Sequence, residues 1–251
     1  MAFNTLLYST MGLVAGGYLF YKGFSWFRVK RLIQNTPTSK VRSIAIGIVE
    51  LYGKVLLEKN KLLSPLENKA CVYYNYTIEE YRSDGKRSYW VTVKQGHDSI
   101  PFKLKDDTGS VLVNPEYADI HIPVDFEFRS GMGRDPPRGV ISLLKSENLA
   151  FENFLGINKT MRYREYRLEP DDKVYILGNA QINTNRKEAT AQKNEENLII
   201  TKSLTHPFLI FDSPEETVLN SYRWKSLGGI IGGAALLIFC FAIILKYFGL
   251  L

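Results

Sequence analysis

Residues 226–245 read SLGGIIGGAALLIFCFAIIL, twenty residues without a charge. As a helix rising about 1.5 Å per residue, such a run covers about 30 Å, the thickness of bilayer hydrocarbon. It is read as a membrane span, and it constrains everything else, because the rest of the chain must then fold beside lipid. Only residues 246–251 follow it, so a folded domain is expected upstream.

A second apolar stretch lies at 5–21, diluted by Ser9, Thr10, Gly12, Gly16 and Gly17 and closed by Lys22. A lysine at a helix end can snorkel to the headgroups, and Phe24, Trp26 and Phe27 beside it make an interfacial belt. Residues 3–27 are therefore expected to form a first transmembrane helix. A cleaved secretory signal is the alternative, but it needs positive charge ahead of the apolar stretch. No Lys or Arg precedes this one, whereas Arg28, Lys30 and Arg31 follow it.

Cytoplasmic flanks retain Lys and Arg. Lys22, Arg28, Lys30, Arg31, Lys40 and Arg42 follow the first helix, Arg223 and Lys225 precede the second, and Lys246 stands alone beyond it. The expected topology puts the middle of the chain in the cytoplasm and both short termini across the cell membrane. Much of the formal charge of +6 then sits beside anionic lipid, and a nucleic-acid partner is not needed to explain it. The spacings Gly12 to Gly16, Gly228 to Gly232 and Gly229 to Gly233 would let helices approach closely, within the chain or between copies.

The expected fold class is a membrane protein of α+β type: a mainly β, barrel-like soluble domain, in two subdomains, bracketed by the two helices. Residues 28–128 form the first β-rich half, 129–139 (RSGMGRDPPRG) a linker rich in Gly and Pro, and 140–225 a second half ending in a juxtamembrane helix. Strands are expected over 41–57, 71–82 and 88–94 around a turn at Ser83, Asp84 and Gly85. Further strands are expected at 102–104, 110–113, 160–168, 173–182, 197–201 and 208–211. A helix of about three turns fits 140–155, and 183–196 reads as a loop. Pro214, Glu215 and Glu216 mark a helix start that runs into the second span.

The order of several segments resembles the GIDE family of membrane-anchored E3 ubiquitin ligases. Its opening pattern is carried by Thr36, Pro37, Thr38, Ser39 and Arg42, then Gly47, Glu50 and Gly53. Later segments agree, among them Pro101-Phe102, Asp107-Thr108-Gly109, His206-Pro207-Phe208 and Arg223-Trp224-Lys225. The resemblance implies a beside-a-membrane domain between two membrane helices. In the family's eukaryotic ligases a RING follows the second helix, and mitochondrial members keep the domain in the intermembrane space. A RING needs paired tetrahedral zinc sites of Cys and His. This sequence has two cysteines, Cys71 and Cys240, and His97, His121 and His206 are scattered, so neither a metal nor another cofactor is expected.

No G-x-S-x-G, H-E-x-x-H or P-loop pattern appears, and adjacent acids such as Glu79-Glu80 point to opposite faces of a strand. No catalytic residue is assigned. A membrane-tethered scaffold that binds a protein partner is the leading expectation. A part in E3 ligase activity with a RING supplied in trans is the second, and oligonucleotide-barrel-like binding of nucleic acid or lipid is the third. The third rests on Tyr73, Tyr74, Tyr76, Tyr81, Tyr89 and Trp90 crowding one hairpin beside Arg82, Lys86, Arg87 and Lys94. Tyrosine is also simply a good strand former, which makes nucleic acid the less expected partner.

Overall fold

The computed structural model describes residues 2–58, 60–152, 156, 158–183 and 197–250. They fall into two compact units, one of residues Met1–Pro37 with Pro214–Leu251 and one of Thr38–Ser213.

The first unit is a pair of helices, α1 (Ala2–Asn35) and α3 (Glu215–Tyr247), either side of the chain that carries a short helix α2. α1 runs past the expected 3–27 to Asn35, because Arg28 to Gln34 contain nothing that breaks a helix. Pro37 then disfavours helical backbone at the residue before it, and Thr36 closes the end by donating its hydroxyl to the Leu32 carbonyl at 2.8 Å. α3 is continuous from Glu215, with Pro214 just ahead of it and two acids in its first turn. It is long and apolar enough to cross a membrane, with a mean hydropathy of 2.5 over its best window, and it is the one helix among the described residues to pass that test.

The second unit is built on β1 (Gly47–Leu57), which follows a single 3-10 turn at Val41–Ser43. After the short strands β2 (Leu62–Leu63) and β3 (Ala70–Cys71) comes the hairpin of β4 (Tyr73–Ser83) and β5 (Ser88–Ser99). Then follow β6 (Phe102–Lys105), β7 (Ser110–Val113), β8 (Asp119–His121), β9 (Phe126–Ser130) and helix α2 (Arg138–Ser146). β10 (Met161–Leu168), β11 (Lys173–Ile182), β12 (Leu198–Thr201) and β13 (Leu209–Phe211) complete it.

Five of these strands close on themselves in the order β1, β6, β7, β12, β11 and back to β1. All seams are antiparallel except β7 with β12. Alternate residues point inward, so Val49, Leu51 and Val55 of β1 meet Phe102, Leu104, Val111, Val113, Val174, Ile176 and Ile200 in one buried core. Closure depends on β1 having two partners. Residues Gly47 to Lys54 pair with β11, and Lys54 to Leu57 pair with β6. At the changeover the strands approach so closely that a Cβ on Gly53 would lie 2.5 Å from the Lys105 carbonyl oxygen.

The remaining large sheet runs β5, β4, β10, β9. Its inner face, with Tyr76, Ile78, Met161 and Tyr163, packs on Val140 and Leu144 of α2. Between this core and the barrel lies a buried ion cluster. Arg167, 3% exposed, reaches Glu165 at 2.6 Å, Glu67 at 2.8 Å and Glu169 at 2.8 Å. Burial works against its charge, but the bonds to Glu165 and Glu169 and the field of Glu67 hold it protonated above the ordinary range.

α2 is shorter than the helix expected over 140–155. It stops at Ser146 because Asn148 takes a left-handed φ of 53°, and Leu149 donates its amide back to the Leu144 carbonyl. Stretch 129–139 contains the end of β9, a Gly131–Arg134 bridge and the entry to α2. Both sheets draw strands from either side of it. The loop expected at 183–196 lies outside the described residues from 184 onward. Replacing Gly53 with valine should separate β1 from β6, lowering stability by about 1–3 kcal/mol in denaturant titration of the barrel signal.

Candidate functional site

The segment entering the barrel is strapped to it by side chains. Glu50 is fully buried, and its carboxylate accepts hydrogen bonds from the Thr38 hydroxyl at 2.6 Å and the Tyr175 hydroxyl at 2.8 Å. The Ser39 amide donates to the Glu50 carbonyl at 2.8 Å. Asp106 holds the next residues: one oxygen accepts from the Val41 amide, the other from Thr108 and Gly109. Burial would raise its pKa, but the Val41 amide and the Thr108 and Gly109 donors outweigh that and keep the carboxyl below its ordinary value. The Arg42 amide donates to the Thr108 hydroxyl, and Lys40 pairs with Asp107 at 2.6 Å.

Thr38, Ser39, Arg42, Glu50 and Gly53 thus meet in one strap and seam. Gly47 opens β1 at a φ of 122°, in the left-handed half of the map. Thr36 and Pro37 end the helix unit instead. These residues have architectural roles in the strap, the seam and the helix end.

The outer face of the four-stranded sheet carries the aromatic and basic residues that first draw the eye. Tyr81 packs on Trp90 at 5.1 Å, and the Arg162 guanidinium lies over the Trp90 ring at 4.5 Å. Three carboxylates hold four nearby arginines: Arg162 and Arg164 share Glu79 at 2.7 and 2.8 Å, Arg82 binds Glu80, and Arg129 binds Glu127. Tyr76 turns inward and is buried, whereas Tyr81 and Tyr89 are exposed. The face is therefore largely neutralised by its own acids.

Chemistry is sparse among the other groups. Burial pushes the Cys71 thiol up to about 12, with Glu165 adding to it, so it is no thiolate nucleophile. His121 stacks on Phe211 and sits 3.2 Å from Asp119. Among the described residues no three His, Cys, Asp or Glu side chains gather to hold a metal ion.

In the helix unit, glycines set the contact. A Cβ on Gly229 would lie 2.7 Å from the Gly23 Cα, and one on Gly233 2.6 Å from the Phe20 amide nitrogen. Gly16 faces Gly233 and Leu237, and Gly12 faces the Cys240 sulfur. Gly228 and Gly232 meet nothing within 4 Å. Gly23 belongs to the contact as well. It escapes the four-residue glycine pattern because it follows Gly16 by seven positions, two turns on the same face.

The sequence pattern of the GIDE family, described as E3 ubiquitin ligase, matches residues 73–243. The chain belongs to the GIDE family. The match covers more than half of the chain and spans β4 to β13 and most of α3, but it leaves the strap residues and the closing strand β1 outside. No curated protein and no solved structure matches the chain.

Two predictions follow from this GIDE chain's geometry. The Arg162 guanidinium bonded to Glu79, with Arg164 beside it, holds that carboxyl below its ordinary value of 4.5. Its contribution to stability is full above that value and fades as pH falls through the depressed pKa, so Glu79→Gln should remove part of the acid sensitivity of the unfolding midpoint. For the helices, a Gly12→Cys variant oxidised in membranes should form a disulfide with Cys240 inside one chain. It would show as two linked peptides after digestion, without a dimer on non-reducing gels.

Proposed function

We propose that this GIDE-family chain is a two-span membrane protein whose barrel unit is a membrane-tethered scaffold for a protein partner. The observation that carries the reading is the inverted packing of the helix pair. Glycines form the contact, while Tyr8 (69% exposed), Val14 (75%), Ile231 (64%), Ile238 (71%) and Phe239 (65%) point away from it. In water this arrangement would expose a large apolar surface and bury only a few apolar side chains in return, among them Ile33, Val218 and Tyr222. In lipid it is the expected one, because helices there associate through small residues and present large apolar side chains to the acyl chains. α1 thereby joins α3 as a span although its hydropathy is weaker. Gly228 and Gly232, open to their surroundings, are where a second copy's helix would come close.

The basic residues beside both helices favour a barrel on the cytoplasmic side of a cell membrane, with the termini opposite. The scaffold reading is supported by the polar clusters of this unit, whose carboxylates bind amides, hydroxyls, arginines or lysines of the same unit. The family description supports a second reading, in which the barrel presents a substrate or a zinc-bearing ligase partner to ubiquitin transfer in trans.

Membrane-impermeant maleimide labelling tests the topology. Asn4→Cys and Leu250→Cys should react in intact cells, and Lys86→Cys at the hairpin tip only after permeabilisation. Equal reactivity of positions 4 and 86 in intact cells would show that α1 does not cross. Crosslinking through Lys86 in native membranes followed by peptide identification separates the two functional readings: recovery of a zinc-containing ligase or a ubiquitin-like protein favours the second.

A further inference from the structure

Closing the barrel brings three lysines into one rank. Lys54 lies opposite Lys173 of β11 on one side and opposite Lys105 of β6 on the other. All three side chains are exposed on the outer face. Adjacent strands are about 4.8 Å apart, so three ammonium groups share a row roughly 10 Å long. Like charges set directly opposite one another destabilise a sheet, and nothing in the barrel's core calls for lysine at these outward positions.

The acids nearby offset part of the charge: Asp106, Asp107 and Asp171 line the groove with Lys40, Lys54, Lys105 and Lys173, four lysines against three aspartates. Asp106 is saturated by the Val41, Thr108 and Gly109 donors, and Asp107 is taken by Lys40. Asp171 stands 3.9 Å from Lys54, at the outer limit of an ion pair, and among the described residues no carboxylate is paired with Lys105 or Lys173. The row borders a groove of about 530 Å³, within the range of roughly 300–1,000 Å³ typical of small-molecule sites. Tyr52, 40% exposed and two residues from Lys54 on the same strand face, supplies a flat apolar wall.

We infer that Lys54, Lys105 and Lys173 form a binding site for a small polyanion carrying two or more phosphate groups, either a soluble molecule or the headgroup of a phosphorylated lipid. Lysine suits such a ligand because each ammonium is a mobile point charge that can follow separate phosphate groups. The ligand removes the mutual repulsion of the row, so binding stabilises the barrel. This site goes beyond the scaffold reading and stands whichever protein partner the barrel has.

The test uses the full chain in neutral nanodiscs, titrated with inositol hexakisphosphate by calorimetry and followed by the rise in unfolding midpoint. The wild type should bind, and binding should weaken as salt is raised. The combined variant Lys54→Gln, Lys105→Gln, Lys173→Gln should bind about tenfold or more weakly. Its unliganded midpoint should equal or exceed that of the wild type, and Lys86→Gln and Lys145→Gln should bind normally. If the combined variant does not fold, Lys173→Gln alone should still lose most of the midpoint rise. Nanodiscs containing phosphatidylinositol bisphosphate separate the sources: competition with the soluble probe assigns the site to a headgroup, and lack of competition assigns it to a soluble ligand. No binding by the wild type, undiminished binding by the variants, or binding of single-stranded oligonucleotide without the small probe would overturn the inference.

Discussion

The changeover of β1 from β11 to β6 at Gly53 and Lys54 is the constraint on which the soluble unit depends. A strand of eleven residues pairs with β11 along its first part and with β6 along its last. That double pairing turns five strands of the sheet into a closed barrel, while β13 and β8 extend from β11 outside the ring. It requires a residue without a side chain where the Lys105 carbonyl comes close, and Gly53 supplies it. The same closure buries Glu50, which gathers Thr38 and Tyr175 and so fastens the incoming chain. It also ranks Lys105, Lys54 and Lys173 side by side. The structural features and the proposed polyanion site therefore share one cause.

The helix unit obeys a different physics. In water, folding places large apolar side chains inside, whereas this pair puts glycine at the contact and leaves the large side chains outside. On the proposed two-span reading, lipid reverses the usual preference, because acyl chains are as apolar as leucine and helix contact gains from close backbone approach. The barrel then needs no extensive contact of its own with lipid to be held at a membrane. Fold alone does not assign its activity, since small closed barrels host many unrelated functions.

Much of this was legible in the sequence wherever the signal is local. The uncharged run of α3 declares itself by length. The hairpin of β4 and β5 is visible from alternation around Asp84 and Gly85, and the Asp106 turn from its Asp-Thr-Gly chemistry. A barrel-like domain was legible from the run of short strands, but not the pairing that closes it, because Gly47 meets Ala180 and no local pattern reports a contact across that distance. The end of α2 was missed because it depends on one left-handed residue, Asn148, whose backbone is not forced by its type. The Gly- and Pro-rich stretch 129–139 signals turns correctly, yet turns inside one compact unit look the same as a linker between two. The strap residues carry a family resemblance in sequence but no local sign of their partners, and Glu50 does not read as buried because Tyr175, one of its hydroxyl partners, is 125 residues away.

Hydrogen–deuterium exchange on the full chain in detergent tests the closure most directly. Amides of Val55 to Leu57, of Phe102 to Val113 and of Val174 to Ala180 should exchange slowly and lose protection together on mild destabilisation, as one cooperative unit. Slow exchange of the β11 peptide alone, with the β6 and β7 peptide exchanging as fast as the hairpin tip at Asp84 to Arg87, would mean that β1 does not bridge the two and that the barrel is open.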